Sequence, residues 1–169
     1  MASFDQYLDE LTGKAHSALY LRSRRYRLSY PYSASVLQAP AWCRDCSAVV
    51  ASEHMPTKDE IEYERNQLIA ITRGIKNDMA FFFCTPEAAT KELENRNRFW
   101  SAIADRRSPP RCLDCFGVDL LPLPTNDDTL VTIPNGPLLR YDTNGFADVG
   151  PEATFILDIE GRLVRRDGG

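Results

Sequence analysis

Two Cys-x-x-Cys pairs, Cys43–Cys46 and Cys112–Cys115, are the residues of this chain whose type and spacing point to a specific chemistry. Each pair can place two sulfurs on one side of a tight turn, at the roughly 2.3 Å typical of a zinc–sulfur bond. Two such turns facing each other supply the four thiolates of a closed tetrahedral site. The spacing therefore predicts one structural zinc ion per chain. Its ligands would be Cys43, Cys46, Cys112 and Cys115.

The separation of the pairs leaves two other interpretations open. Residues 47–111 lie between them, whereas an ordinary zinc ribbon has roughly 12 to 20 residues between its halves. The four cysteines could instead form disulfides or a redox pair, or be the remnant of a lost metal site. Reduced thiols are the better expectation, because no signal-peptide segment follows Met1. Neither pair opens a helix in a βαβ unit, which a thioredoxin-type motif would require.

The fifth cysteine, Cys84, ends the apolar run 80–84. Burial among phenylalanines disfavours the thiolate, which is the reactive form of cysteine. Cys84 is therefore expected to be a core residue that is neither a ligand nor a nucleophile.

Length and charge indicate one soluble domain. The 169 residues, 43% of them hydrophobic, suffice for a single core. No apolar stretch approaches the roughly 18 to 20 residues of a membrane span, so a cytoplasmic location is expected. The net charge of −4 disfavours a surface devoted to nucleic acid and suits a protein partner with a basic surface.

No catalytic site is expected from the sequence. His16 and His54 are the only histidines, and they lie in no recognisable catalytic motif. His54 follows the first cysteine pair and could replace a ligand, although a surface histidine is the commoner case. Four thiolates would saturate the metal and leave no position for water or substrate. The expectation is therefore a non-enzymatic protein.

Two helices are predicted between the cysteine pairs. The capping box Thr57–Glu60 and apolar residues at helical spacing predict a helix over 57–76. Thr85 and Pro86 start a second helix, which the prolines at 109 and 110 end. A short connection folds the two back as an antiparallel pair, which brings the distant cysteines together. Ion pairs are expected between the acidic start of the first helix and the arginines near the end of the second.

Strands and turns are predicted elsewhere. Apolar spacing predicts a helix over residues 1–18, followed by an extended segment, 18–32. Beyond Cys115, two Asn-Gly steps, at 135–136 and 144–145, predict hairpin turns. The short apolar runs there predict strands at 119–123, 130–133, 138–141, 154–159 and 162–165.

The predicted fold is therefore α+β in a single domain, 1–169. An N-terminal helix and extended segment occupy 1–40. A split zinc ribbon holding the antiparallel helical hairpin spans 41–115, and one small antiparallel sheet follows at 116–166.

A basic, aromatic segment is the best argument for nucleic-acid binding. Residues 20–32 interleave four arginines with four tyrosines, which can neutralise phosphates and stack on bases. The more ordinary interpretation is an edge strand, with arginines on the solvent side guarding against edge-to-edge pairing. The acidic chain favours that interpretation.

The residues around both cysteine pairs, Ala41–Cys46 and Arg107–Cys115, carry a family resemblance. Over residues 41–124 the chain resembles small bacterial zinc-ribbon proteins with a helical hairpin between the ribbon halves. Some of these resemble immunity proteins that neutralise a partner toxin. The chain departs from other zinc ribbons at 132–137, where a further ligand pair is replaced by a turn without ligands.

Two hypotheses follow from the residues and the resemblance. The first is a zinc-stapled protein-binding module, most specifically an immunity-like or antitoxin-like inhibitor of an effector protein. The second is a zinc-ribbon regulator that binds nucleic acid through the arginines of residues 22–27 and the second helix. Tight capture of one protein would favour the first, and steeply salt-dependent nucleic-acid binding the second.

Overall fold

In the described part of the chain, strands precede and follow one pair of helices. The computed structural model describes residues 2–21, 23–29, 32–75, 85–126, 129–150 and 153–167. The strands before the helices are β1 (Ala2–Asp9), β2 (Ala15–Tyr20), β3 (Arg24–Arg27), β4 (Ser33–Ser35), β5 (Gln38–Cys43) and β6 (Ala48–Glu53). The helices are α1 (Lys58–Thr72) and α2 (Pro86–Ala104). The later strands are β7 (Leu120–Pro122), β8 (Leu130–Thr132), β9 (Leu138–Ala147), β10 (Thr154–Leu157) and β11 (Leu163–Asp167).

The strands form three sheets. The first sheet has the order β2-β1-β9-β8, the second β11-β10-β3-β4 and the third β6-β5-β7. The predicted fold, a helical hairpin between zinc halves followed by one small sheet, is therefore wrong. The late strands pair with early ones, β7 with β5, β9 with β1, and β10 in parallel with β3. Turn residues show where a strand ends but carry no information about a distant partner.

The predicted N-terminal helix is also wrong, since residues 2–20 form the hairpin of β1 and β2. The prediction relied on the spacing of Phe4 and Leu8, but residues four apart share a face in a strand as well as in a helix. The fully buried side chain of β1 is instead Tyr7, while Leu11 is exposed. The extended segment predicted after residue 18 is confirmed in outline by β2 and β3.

The two Asn-Gly steps have different outcomes. Asn135-Gly136 lies in the turn between β8 and β9, as predicted, and Asn135 adopts a φ of 55°. Asn144-Gly145 instead lies inside β9, opposite Asp5 and Phe4 of β1. A Cβ at Gly145 would lie 3.0 Å from the Phe4 ring. This glycine therefore allows a close approach between strands rather than making a turn.

The two predicted helices are confirmed, and their ends follow from local chemistry. Thr57 and Glu60 form the predicted capping box, and Thr85 caps α2 with Pro86 in the first turn. Helix α1 ends earlier than predicted, because Gly74 takes a φ of 74° and its N–H donates to Ile71. With the bond from the Ile75 N–H to Ala70, this completes a Schellman motif.

Two large hydrophobic cores among the described residues share the third sheet. One joins it to the first sheet, with Trp42 and Val49 packed beside Tyr7 and Leu139. The other contains Tyr26, Ala51, Phe99, Trp100, Leu113 and Leu157, and so unites the second sheet, the helices and β6. Strand β6 contributes to both cores. Among the described residues, neither helix is long and apolar enough to span a bilayer.

Candidate metal centre

The first cysteine pair lies in the turn that joins β5 to β6. Cys43 is the last residue of β5 and pairs with Ala48, the first residue of β6. The turn is closed by a bond from the Ser47 N–H to the Arg44 carbonyl oxygen, and Ser47 takes a φ of 50°. The hairpin thus holds both sulfurs of this pair at its tip.

The second cysteine pair lies in a tight loop after α2. The Cys112 N–H donates to the Gly117 carbonyl oxygen, and the Phe116 N–H donates to Cys112. The loop is attached to β6 through a bridge between Ser52 and Cys112. Gly117 lets the loops meet, since a Cβ there would collide with the carboxylate of Asp45. The two cysteine loops therefore face each other, as the sequence analysis expects.

The four sulfurs form a compact cluster. The Sγ atoms of Cys43, Cys46, Cys112 and Cys115 all lie within 4.8 Å of one another. The Cys43–Cys115 separation is 3.6 Å and the Cys46–Cys112 separation 3.8 Å. A tetrahedral ion with metal–sulfur bonds of roughly 2.3 Å requires sulfur–sulfur edges of about 3.8 Å. The four thiols are free, and the cluster can hold a metal ion.

Backbone N–H groups point at two of these sulfurs. The Asp114 and Cys115 N–H groups lie 3.4 and 3.5 Å from the Cys112 sulfur. The Gly117 N–H lies 3.4 Å from the Cys115 sulfur. Such donors stabilise negative charge on a thiolate and fix the orientation of a metal ligand.

Burial opposes that charge. It raises the pKa of the Cys112 thiol to about 11, although backbone N–H donors act in the other direction. Burial and the neighbouring thiols also raise the pKa of Cys46. Burial is likewise the largest effect at Cys115, but there the Gly117 N–H and the other sulfurs together lower the pKa. A bound cation would supply the compensation that four thiolates need in this setting.

Comparison with known proteins adds nothing to this geometry. No family model, curated protein or solved structure matches the chain. The arrangement of the four sulfurs is therefore what supports a metal centre.

A buried ion pair beside the centre is a feature that the sequence analysis missed. The carboxylate of Glu53, the last residue of β6, accepts two hydrogen bonds from the Arg106 guanidinium, at 2.6 and 3.0 Å. It also accepts from the Tyr26 hydroxyl at 2.6 Å and the Arg111 backbone N–H at 2.8 Å. The side chains of Glu53 and Arg106 are 0% and 2% exposed. The available signal was a carboxylate that closes the apolar strand 48–53.

The ion pairs predicted between the helices form only in part. Arg96 of α2 lies 3.2 Å from Glu64 of α1, whereas Arg106 turns away to Glu53. Arg98 stacks on Tyr32, 4.0 Å from the ring centroid.

Neither histidine belongs to the sulfur cluster. His54 lies 3.1 Å from Glu60 at the start of α1 and is partly exposed, so the surface interpretation is confirmed. His16 packs edge-on against Trp42. Cys84 lies outside the described residues, and its predicted burial stays a prediction.

The arginine-rich segment 20–32 is not an edge strand, which corrects the more ordinary interpretation above. β3 is an inner strand between β10 and β4. Arg24 is buried and stacks on Phe155, 3.6 Å from the ring centroid. Alternation along β3 places Arg25 and Arg27 on the other face.

Proposed function

We propose that the chain is a non-enzymatic, zinc-stapled module that binds another protein. Its most specific form would be an immunity-like or antitoxin-like inhibitor that covers the active site of an effector protein. The observation that carries the proposal is the cluster of Cys43, Cys46, Cys112 and Cys115, with sulfur separations that suit one tetrahedral ion.

Zinc is the proposed metal because of the ligand set. Four thiolates at tetrahedral spacing favour zinc or an iron–sulfur centre over harder cations such as magnesium or calcium. A single ion needs edges of the length found here. With four protein ligands the ion has no open position, so it would act in folding and not in catalysis. A reducing, cytoplasmic compartment, which is part of the proposal, would keep the thiols available.

The position of the centre supports a scaffold role. The ion would fasten the β5–β6 hairpin to the loop that follows α2, and this hairpin borders both hydrophobic cores. A surface held rigid before binding loses less conformational entropy when a partner docks. Protein recognition benefits directly from such rigidity.

A nucleic-acid-binding regulator is the second candidate. One observation favours it, namely the arginines Arg25 and Arg27 on the open face of the second sheet. The tyrosines of the same segment weaken it. The Tyr20 hydroxyl donates to Asp5, Tyr26 is fully buried and the ring of Tyr32 is covered by Arg98. Within the described part of the segment, Tyr20 and Tyr26 are therefore engaged, and one face of the Tyr32 ring is occupied.

Two measurements test the proposal. Metal analysis of protein purified under reducing, chelator-free conditions should give about one zinc per chain, and a value near zero would refute the zinc staple. Affinity capture from the native host should recover one protein in stoichiometric amount, and that protein's activity should fall in the complex. Sub-micromolar binding of short oligonucleotides that weakens steeply with salt, with no protein captured, would establish the second candidate instead.

A further inference from the structure

The open face of the second sheet carries a groove of about 540 Å³. Its lining combines aliphatic, aromatic, polar and basic side chains, namely Arg27, Leu28, Tyr32, Ser33, Ile156, Val164 and Arg165. The chain as a whole has a net charge of −4. The groove is therefore locally basic on an acidic protein. The net charge alone predicts the opposite, namely an acidic contact surface that suits a basic partner.

The two arginines are available to a ligand to different degrees. Arg27 is exposed, and within the described ranges no carboxylate lies within 4.0 Å of its guanidinium. Arg165 is 68% exposed, and its one ion pair within the described residues is with Asp167, itself 44% exposed, at 2.6 Å. Exposed pairs of this kind contribute little, so a ligand carboxylate can replace Asp167 at small cost.

A β-bulge directs β11 into the groove. Ile156 pairs with Arg165, but Leu157 pairs with Leu163, so Val164 is an extra residue without a direct partner. A bulge changes the direction of side chains along a strand. Val164 and Arg165 consequently both line the groove, although neighbours in a regular strand point to opposite faces.

The edge of the sheet beside the groove is open. β11 is the terminal strand of the sheet, and its first four residues are exposed. Among the described residues, no further strand pairs with its outer edge. The opposite edge, β4, packs on α2. An extended segment can therefore pair with the main chain of β11.

We infer that this groove, defined by Arg27, Leu28, Ile156, Val164 and Arg165, binds an extended acidic segment of a protein partner lying along β11. The inference rests on the proposed protein-binding function and names the chemistry of the contact. Carboxylates of the segment pair with Arg27 and Arg165, and its alternate apolar side chains lie on Leu28, Ile156 and Val164. A protein segment fits better than nucleic acid, because three of the seven lining residues are aliphatic and Arg98 already occupies one face of the lining ring of Tyr32.

The test uses the full chain and three defined probes. One is a ten-residue peptide alternating glutamate with valine or threonine, the second has lysine in place of glutamate, and the third is a ten-nucleotide oligothymidylate. Binding is measured by fluorescence anisotropy, and the site is located by amide chemical shifts. The glutamate peptide should bind and shift the amides of 163–167, while the lysine peptide should not bind.

The decisive variant is Arg27→Glu/Arg165→Glu, with Lys14→Glu/Arg73→Glu as the matched control. Both double variants change the net charge equally, and all four positions are exposed. The first should weaken binding of the glutamate peptide at least about tenfold, because a carboxylate then faces a carboxylate. The control should change it less than about twofold. Equal unfolding midpoints confirm that both variants fold.

Four results would overturn the inference. The first is that the glutamate peptide does not bind up to millimolar concentration, and the second is that both double variants lose the same amount of peptide affinity. The third is that the peptide binds without shifting the amide signals of 163–167. The fourth is that the oligonucleotide binds more tightly than the peptide and that the groove variant abolishes this binding. Failure of the groove can be distinguished from failure of the proposed protein-binding function. A partner captured equally by wild type and by the Arg27→Glu/Arg165→Glu variant would leave that function standing and remove only the groove.

Discussion

The β5–β6 hairpin is attached to the segment that follows α2 at both of its ends, by two different chemistries. At the turn end, the sulfurs of Cys43 and Cys46 face those of Cys112 and Cys115. At the open end, the carboxylate of Glu53 holds Arg106 and the backbone of Arg111. The sulfur cluster needs a cation from outside the chain, whereas the ion pair is complete by itself.

The difference teaches how a long insertion can still give one cluster of four cysteines that could hold a metal ion. The antiparallel pair of α1 and α2 returns the chain, and the ion pair then sets the position of the loop that carries the second cysteine pair. A bond from the Glu53 N–H to the Arg111 carbonyl oxygen reinforces this position. The sulfur cluster would thus be an attachment that depends on a bound metal ion, whereas the ion pair needs no added group.

Loss of the metal should have the largest effect. Cys112→Ser removes one of four ligands, and metal binding contributes folding free energy directly. We expect loss of the zinc, a fall of more than about 4 kcal/mol in the free energy of unfolding, and nearly unchanged helical circular dichroism. Chelation of the wild type should reproduce this result. Cys84→Ser is the control and should keep one zinc per chain, while an unchanged midpoint in Cys112→Ser would contradict a structural metal.

Breaking the ion pair should have the next largest effect. Arg106→Met leaves the buried Glu53 carboxylate without its cation, which costs about 3–5 kcal/mol in comparable buried pairs. Zinc content at low temperature should stay near one per chain, because no ligand is lost. Denaturant unfolding and metal analysis measure the two quantities together.

The neighbouring Arg107 supplies the control for that experiment. Arg107 is exposed, so Arg107→Met should change stability by less than about 0.5 kcal/mol. Simultaneous loss of zinc and stability in Arg106→Met would show that the two attachments form a single unit.

A substitution in the β10–β11 turn should disturb the same ion pair with a smaller loss of stability. Gly161 takes a φ of 74°, and a Cβ there would lie 2.6 Å from both carboxylate oxygens of Glu53. Gly161→Ala should cost about 1–3 kcal/mol through backbone strain and displacement of the ion pair. Gly13→Ala, which has a similar φ but open space around it, separates the two causes. Equal losses in both variants would show that strain alone is responsible.

The smallest expected effect depends on pH. Hydrogen bonds from the Ser108 side chain and backbone N–H lower the pKa of Glu160 below its ordinary 4.5. A depressed pKa means that the stabilisation is present above pH 4.5 and is lost as pH falls through the lower, folded-state value. Glu160→Gln should therefore lower the unfolding midpoint at pH 7. The difference in midpoint between the variant and the wild type should be smaller near pH 3. A constant difference across that range would contradict the assignment.

Local features were predictable because their causes are local. The capping box at Thr57, the cap at Thr85 and the turn at Asn135 each depend on a few neighbouring residues. The four candidate ligands were also predictable, since two cysteine pairs and a returning helical hairpin leave little choice. The early end of α1 at Gly74 carried a signal too, because glycine commonly follows the last turn of a helix.

Strand partners were not predictable from local signals. The pattern at Phe4 and Leu8 fits both a helix and a strand, and only pairing with β9 decides between them. Gly145 likewise reads as a turn until the Phe4 ring is placed beside it. The ion pair between Glu53 and Arg106 joins two segments that are distant in sequence, and the residues around either one do not predict it.

The pairing of β1 with β9 sets an order of events during synthesis. Residues 2–9 leave the ribosome long before residues 138–147, so the first sheet cannot close until most of the chain exists. The parallel pairing of β3 with β10 imposes the same delay on the second sheet. The third sheet needs nothing beyond residue 122, and the four cysteines of the sulfur cluster precede that point. It can therefore form before the other two sheets, while the β1–β2 and β3–β4 pairs wait for β9 and β10. Such long-range pairing slows folding and leaves strand edges exposed to aggregation.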